Sequence, residues 1–243
     1  MNLRDAWEQN AADWVRWARA PGLDSYWRFH RERFLGLVPP PGRLTLDVGC
    51  GEGRVTRDLK ESGHRVVGID GSETMAAAAR EADPAGEYLV ADAADLPFPD
   101  GRADLVVAFM LLMDLDDMAG SVRELARVLE PDGKLALAVV HPINSAHDVD
   151  REHPDGRLVL IEDYFDRRRY SDSIVREDLP MTFESRHWTF QDYFDALLGA
   201  GFRVEAVREI GDPEHSRWSR YPLFLHVLAG LPTDEQRREA TNG

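Results

Sequence analysis

Three carboxylates close three short apolar runs: Asp47 in TLDV, Asp70 in VVGID and Asp92 in LVAD. Between the first two lies GCGEG, with glycines at positions 49, 51 and 53. Glycine at such a turn permits positive φ and lets a ligand lie against the backbone, and the free N–H groups that open a following helix favour electronegative atoms. The spacing is GxGxG with an acid two positions before it, not the GxGxxG of dinucleotide sites. A carboxylate at Asp47 repels a pyrophosphate and suits a ligand that carries an ammonium. Asp70 falls where such folds place an acid on ribose hydroxyls, and Asp92 stands at the same edge. The set describes a small cationic nucleoside better than a diphosphate, which disfavours a nicotinamide-dependent oxidoreductase.

A second group of residues could handle a proton. His141 ends the apolar run KLALAVVH, at the same edge as the carboxylates, and His187 stands in ESRHW before a helical stretch. Either imidazole titrates near neutrality and could take a proton from a hydroxyl or amine. The alternative for each is a structural histidine. Asp114, in LLMDLDD, is a third candidate, unless it caps the next helix. Cys50 sits inside the glycine loop, where a small residue tucked under the ligand is the simpler reading than a reactive thiol.

The elements that must position these groups follow a regular rhythm. The runs RLTLDV, HRVVGID, GEYLVAD, ADLVVAFM and GKLALAVVH alternate with helix-like RVTRDLKES, SETMAAAAREA and DDMAGSVRELARVLE. Short continuous apolar runs alternating with helices predict buried parallel strands with right-handed crossovers. Ser72 is placed to start a helix, and Pro131-Asp132-Gly133 to turn the chain into the fifth strand. Before the glycines, Trp7, Trp14 and Trp17 share one side of a helix that Pro21-Gly22 separates from a second one containing Trp27. Residues 1–42 are therefore expected to form a helical layer over the ligand, with Tyr26 and Trp14 as covering rings. After His141 the rhythm fails. The charged, aromatic segment 142–188 has β-like pieces at RLVLIEDYF and SDSIVRE, and it reads either as a substrate cap or as the surface of a homodimer. Residues 189–231 resume the helix–strand pattern, and 232–243 read as a frayed tail.

At this point the sequence resembles a known family, the class I S-adenosylmethionine-dependent methyltransferases, in particular small-molecule enzymes of the type 11 kind. LDVGCGEGR is similar to the first motif of that family, VVGID to its second, ADAADLPFPDGRADLVV to its third region and RVLEPDGKLALAVV to the stretch entering strand five. The resemblance implies an α/β Rossmann-like sheet of seven strands in order 3-2-1-4-5-7-6, with only the seventh, PLFLHVLAG, antiparallel. It implies S-adenosyl-L-methionine as cofactor and S-adenosyl-L-homocysteine as product. By the same resemblance Asp47 with Gly49, Cys50 and Gly51 holds the methionine moiety, Asp70 with Gly71 the ribose, and Asp92 with Ala93 the adenine amino group. Met75 is placed to pack on adenine, and Phe109 and Met110 lie near the sulfonium. The asparagine-proline-proline-aromatic motif of many amino- and nucleobase-N-methyltransferases is missing, since the chain reads AFMLLMDLDD. That leaves O-, N- or C-methylation of a small molecule, a secondary metabolite among the options, with Asp114, Tyr164, Tyr170 and Trp188 expected around it. A protein that binds the cofactor without catalysis fits the same motifs.

Composition narrows the partners. With 29 basic and 44 acidic residues among 243 the formal charge is −15, and lysine occurs only at Lys60 and Lys134. Nucleic-acid binding leans on a basic face, so no nucleic-acid partner is expected. One cysteine excludes an internal disulfide, and no Cys/His spacing suits a metal. No apolar run approaches the roughly 20 residues that span a bilayer, and the N-terminus carries no leader pattern. A soluble cytoplasmic protein without a membrane partner is the expectation.

Overall fold

The computed structural model describes residues 1–150, 157–160, 163–212 and 220–241. Five parallel strands carry the apolar runs: β1 (Thr45–Val48), β2 (Val66–Asp70), β3 (Glu87–Val90), β4 (Ala103–Phe109) and β5 (Leu129–Val140). Four further strands in the inserted segment, β6 (His147–Asp150), β7 (Arg157–Leu160), β8 (Arg169–Arg176) and β9 (Leu179–Arg186), stand apart from the main sheet as two antiparallel hairpins. The chain returns through β10 (Arg203–Ile210) and β11 (Phe224–Gly230). The main sheet runs β10-β11-β5-β4-β1-β2-β3. Without the inserted hairpins this is the 3-2-1-4-5-7-6 order, and its last-made strand, β11, is antiparallel to both neighbours.

All four β1 residues are buried, as a strand covered on both faces requires. On one face lie α5 (Met118–Val128) and α7 (Phe190–Gly199), through Val122, Leu125 and Leu197. On the other lie α3 (Arg54–Glu61) and α2 (Arg31–Leu35), through Val55, Leu59 and Phe34. The N-terminal layer consists of α1 (Leu3–Arg19), one turn of π-helix (Tyr26–His30) and α2. Buried His30 Nδ1 and His226 Nε2 lie 2.8 Å apart, tying this layer to β11, and burial pushes His226 down to about 4, so the pair is neutral.

Three expectations needed revision. Pro131-Asp132-Gly133 does not precede the fifth strand but lies inside it: the β4–β5 ladder shifts register here, with Asp132 at φ 65°, so the turn is absorbed as a bulge. The tail expected to fray carries α8 (Asp234–Thr241), because Thr233 and Gln236 cap each other reciprocally, Thr233 Oγ1 accepting the Gln236 amide and Gln236 Oε1 the Thr233 amide, each at 3.2 Å. The inserted segment contains a second strand for each β-like piece and a one-turn helix, α6 (Pro142–Ser145). Residues 161–162 of the RLVLIEDYF stretch lie outside the described residues. No helix among the described residues is long and apolar enough to cross a membrane.

Candidate functional site

The three acids stand at the carboxyl ends of β1 and β2 and just past β3, and the backbone between them is shaped by the glycines. Gly49 has φ 74°, and a Cβ there would come within 2.7 Å of Leu111 Cδ1, so the loop closes on that side chain. Gly51, at φ 57°, has only Trp14 Nε1 near its Cβ position, at 3.5 Å. Asp70 stiffens this loop: its Oδ2 accepts the Gly51 amide and its Oδ1 the Ser72 amide, both at 2.8 Å. Asp47 is fully buried; Thr56 Oγ1 donates to its Oδ2 at 2.5 Å, and its Oδ1 has no hydrogen-bond partner among the described residues. Burial, with the Asp70 charge adding to it, pushes Asp47 up to about 7 against the opposing Thr56 bond and Arg54 charge. An orphaned carboxylate oxygen beside a glycine loop is the kind of vacancy an ammonium fills. Asp92 is exposed and Ala93 buried, and Asp92 Oδ1 accepts the Ala94 amide at 2.9 Å. Met75 is buried one turn into α4 (Glu73–Ala82), which Ser72 caps. Cys50 is buried against Ala79 and Tyr88, and burial raises its thiol well above the usual range, which makes it inert packing.

Helix α1 lies across this edge. Arg4 Nε donates to the Gly71 carbonyl at 2.9 Å and Arg4 Nη1 stands 3.7 Å from Asp92. The Glu8 carboxylate accepts from Ser72 and Thr74, and Arg19 donates to the Ala78 carbonyl at 2.9 Å. The other side of α1 meets the β8–β9 hairpin: the rings of Trp7, Trp14 and Trp17 lie 6.5, 5.9 and 6.2 Å from Phe183. Trp14 also meets the glycine loop, its Nε1 3.5 Å from the Cβ position of Gly51. Tyr26 is not at the surface of this site: it is fully buried, donates its hydroxyl to Asp58 Oδ2 at 2.6 Å, and packs edge-on against Phe109. Phe109 is likewise a core ring, between Tyr26, His30 and Phe34. The next residue, Met110, is held at φ 54°, a conformation unusual for a side-chain-bearing residue and common where a strand end is re-aimed at a site.

Past Met110 the chain places Asp114 under the hairpin, where Ser185 Oγ donates to it at 2.6 Å. Burial pushes Asp114 up to about 8, against the opposing hydrogen bond from Ser185. Capping of α5 falls to Asp117, whose side chain accepts the Gly120 amide at 2.8 Å. Tyr170 lies across the hairpin from Ser185, and its hydroxyl is raised by burial and by the Asp114 charge. These three make one polar cluster. Both histidines are committed elsewhere. His141 caps α6, its Nδ1 accepting the Ile143 amide at 3.2 Å, which puts the proton on Nε2, 3.2 Å from Glu209 on β10. His187 donates from Nε2 to the Tyr164 carbonyl, and its Nδ1 meets Ser145 Oγ, each at 2.8 Å. Burial lowers both imidazoles. Tyr164 accepts the Phe190 amide at its hydroxyl, and Trp188 opens onto an acidic cleft of about 350 Å³ between α5 and α7, among Asp116, Asp192 and Asp195. Sequence reading missed Ser185, which lay in a segment without periodicity, and Arg54, a polar residue directly after the glycines. Among the described residues no group of three or more His, Cys, Asp or Glu side chains is arranged to hold a metal.

Residues 46–137 match the methyltransferase domain family. Over 220 residues the chain is 37% identical to a protein of Mycolicibacterium smegmatis (strain ATCC 700084 / mc(2)155) named as an S-adenosylmethionine-dependent methyltransferase, covering 89% of this chain and 78% of that one. The chain belongs to the S-adenosylmethionine-dependent methyltransferase family. Family membership brings S-adenosylmethionine as the cofactor, and the orphaned Asp47 oxygen and the open face of Gly51 fit it. A solved S-adenosylmethionine-dependent methyltransferase from Mesorhizobium loti superposes with a TM-score of 0.68 at 27% identity, covering 85% of this chain and 98% of that one. Other relatives match over the cofactor half alone: a demethylmenaquinone methyltransferase of Corynebacterium urealyticum (39% over 117 residues, 48% of this chain and 49% of that one) and a malonyl-[acyl-carrier protein] O-methyltransferase of Pectobacterium atrosepticum (34% over 110 residues, 45% of this chain and 44% of that one). Against such relatives the match spans about half their length, and they differ in what they are named for acting on.

Proposed function

We propose that this protein is a small-molecule methyltransferase whose acceptor enters beneath the β8–β9 hairpin, next to Asp114. The observation that supports it most is the placing of two perturbed acids at one sheet edge: buried Asp47, with a free oxygen at the glycine loop, and half-buried Asp114, pushed up to about 8 beside Ser185 and Tyr170. The cofactor, when bound, supplies an electrophilic methyl group on a sulfonium. Asp47 and the loop backbone then hold its amino-acid end, and Asp70 and Asp92 offer acceptors to ribose hydroxyls and to the adenine amino group. Asp114 takes the proton of a hydroxyl or amine acceptor, since a base tuned near the working pH is the efficient one. His141 and His187, with their ring nitrogens already engaged, support the fold of the insert instead. The hairpin and the tryptophans of α1 exclude water and fix the line of attack, the larger share of catalysis in such a transfer.

The test is mass spectrometry for S-adenosylhomocysteine formed from S-adenosylmethionine across a panel of phenols, carboxylic acids, quinols and amines. Formation dependent on one acceptor class supports the proposal. A protein that binds S-adenosylhomocysteine yet forms none with any acceptor fits the alternative, a cofactor-binding protein without catalysis.

A further inference from the structure

Arg167, Arg168 and Arg169 run together where the chain enters β8, and the fold divides them. Arg167 donates Nε to Asp192 Oδ2 at 3.0 Å and Nη2 to Oδ1 at 2.8 Å, and exposed Arg169 donates to the Met1 carbonyl at 2.7 Å. Arg168 is used differently. Its Nη1 is shut off from solvent without a hydrogen-bond partner, no acid among the described residues pairs with it, and its Nη2 reaches only the Ser145 carbonyl, at 3.5 Å. A sequestered cation edge of this kind is costly unless an anion completes it. The ladder fixes where that anion would lie. His187 donates its amide to the Arg168 carbonyl at 2.8 Å, and Tyr170 pairs with Ser185 in the same hairpin. Residues two apart on a strand share a face, so Arg168 and His187 form one row and Tyr170 and Ser185 the next, about 7 Å along. Ser185 donates to Asp114, past the end of β4, whereas Ser145, touched by Arg168, lies past the end of the neighbouring parallel strand β5. The hairpin thus sets a cation over the end of β5 and an acid at the end of β4, the edge at which open α/β sheets take their ligands. His187 does not compete for the anion, because both its ring nitrogens are engaged and burial, with the Arg168 charge adding to it, keeps it neutral.

We propose that Arg168 determines the specificity of the acceptor site by binding a carboxylate of the acceptor through Nη1, while the hydroxyl or amine to be methylated, several bonds away in the same molecule, stands at Asp114. The substrate class is then a hydroxy or amino acid rather than a neutral phenol, quinol or amine. This rests on the reading of the acceptor site given above and narrows it. Arg168 takes no part in the bonds made or broken: the proton of the nucleophile still passes to Asp114, and the guanidinium keeps its charge throughout.

A set of aromatic and aliphatic hydroxy and amino acids, each matched with its primary carboxamide, tests this on protein saturated with S-adenosylhomocysteine, by thermal shift at millimolar ligand and then by calorimetry. Acids should bind, and the matched carboxamides should bind at least about tenfold more weakly, a comparison that needs no variant to fold. Arg168→Gln should weaken the best acid by about 10- to 100-fold, bring it level with its carboxamide and leave S-adenosylhomocysteine affinity unchanged. Arg168→Lys, which keeps the charge but not the fork, should retain part of the preference. Carboxamides that bind wild type as tightly as the acids, no member of either set binding, or an acid preference that survives Arg168→Gln would overturn the inference. Equal losses of acid and carboxamide in Arg168→Gln would overturn it too and assign Arg168 to the support of α6. Turnover with S-adenosylmethionine separates this from the proposed function. Neutral phenols or amines methylated as fast as acids would overturn the acid preference and leave the methyltransferase reading standing, whereas acids held through Arg168 with no S-adenosylhomocysteine formed would remove the catalysis and leave the anion site.

Discussion

The cofactor edge and the β8–β9 hairpin that roofs Asp114 are built on opposite plans. At the edge, each functional group lies within a few residues of a strand end, and backbone does much of the holding: the Gly51 and Ser72 amides fix Asp70, and positive φ shapes the loop. Under the roof, Ser185 reaches Asp114 from 71 residues away and Trp7 donates to the Glu184 carbonyl from 177 residues away. A backbone-built site is written locally and tolerates few changes at its glycines. A site built by side chains from distant segments can change its lining without disturbing the sheet, and relatives that match over the cofactor half are named for different substrates, a demethylmenaquinone and a malonyl-[acyl-carrier protein].

If that contrast is right, the largest effect belongs to the loop. Gly51→Val should abolish measurable S-adenosylhomocysteine binding in calorimetry while circular dichroism shows a folded protein, since a branched side chain at positive φ is strained and fills the ligand's approach. Unchanged affinity in that variant would break the backbone-built description of the edge.

Asp114→Asn probes the roof. With an acceptor in hand, turnover should fall roughly 10²–10⁴-fold and cofactor affinity should stay as it was. Wild-type turnover should rise with pH and level off above about 8, because the raised Asp114 carboxyl must lose its proton before it can accept one. His141→Ala should stay within a few-fold of wild type, because that ring caps α6. A reversed ranking of the two variants would return the base to His141.

The two plans also explain what could be read beforehand. The sheet order, the helices α3 to α5 and the loop–acid set were legible because each is a local pattern: buried apolar runs, a Ser72 cap, glycines between an acid and a helix. The β8–β9 hairpin was half legible. Its turn is Glu177-Asp178 with both residues at positive φ, 49° and 61°, so the glycine or asparagine that ordinarily marks such a turn is missing from the sequence. The histidines were not assignable from sequence for a related reason. A titratable ring at a strand end looks the same in sequence whether it faces a ligand or caps the next turn, and the Ile143 amide and the Tyr164 carbonyl that engage these rings are tertiary facts.

A moderate effect is expected at Asp70. Asp70→Ala removes a carboxylate that holds the loop and offers charge-assisted hydrogen bonds to ribose, and it should cost about 1.5–3 kcal/mol of S-adenosylhomocysteine affinity. An Asp70 variant that binds like wild type would mean that the ribose lies elsewhere.

The smallest effect sharpens the comparison where the two regions meet. Because α1 contacts the cofactor edge through Arg4, Glu8 and Arg19 and the hairpin through its tryptophans, adding S-adenosylhomocysteine should slow hydrogen exchange in residues 3–19 and 169–186 together. Slowing confined to the loop would make α1 a permanently docked layer and the two regions independent.

The most direct test of the edge is the affinity of wild-type protein for S-adenosylhomocysteine measured by calorimetry from pH 5.5 to 8.5, with NAD as the comparison ligand. Burial holds Asp47 near 7, and a ligand ammonium favours its ionised form. Affinity should therefore climb as pH rises, by at most about tenfold per unit below 7, and level off above it. NAD, whose pyrophosphate faces the same carboxylate, should bind far more weakly at every pH. S-adenosylhomocysteine affinity that is flat or falls with pH, or NAD binding as tightly, would contradict the assignment of Asp47 and its loop to an ammonium-bearing nucleoside.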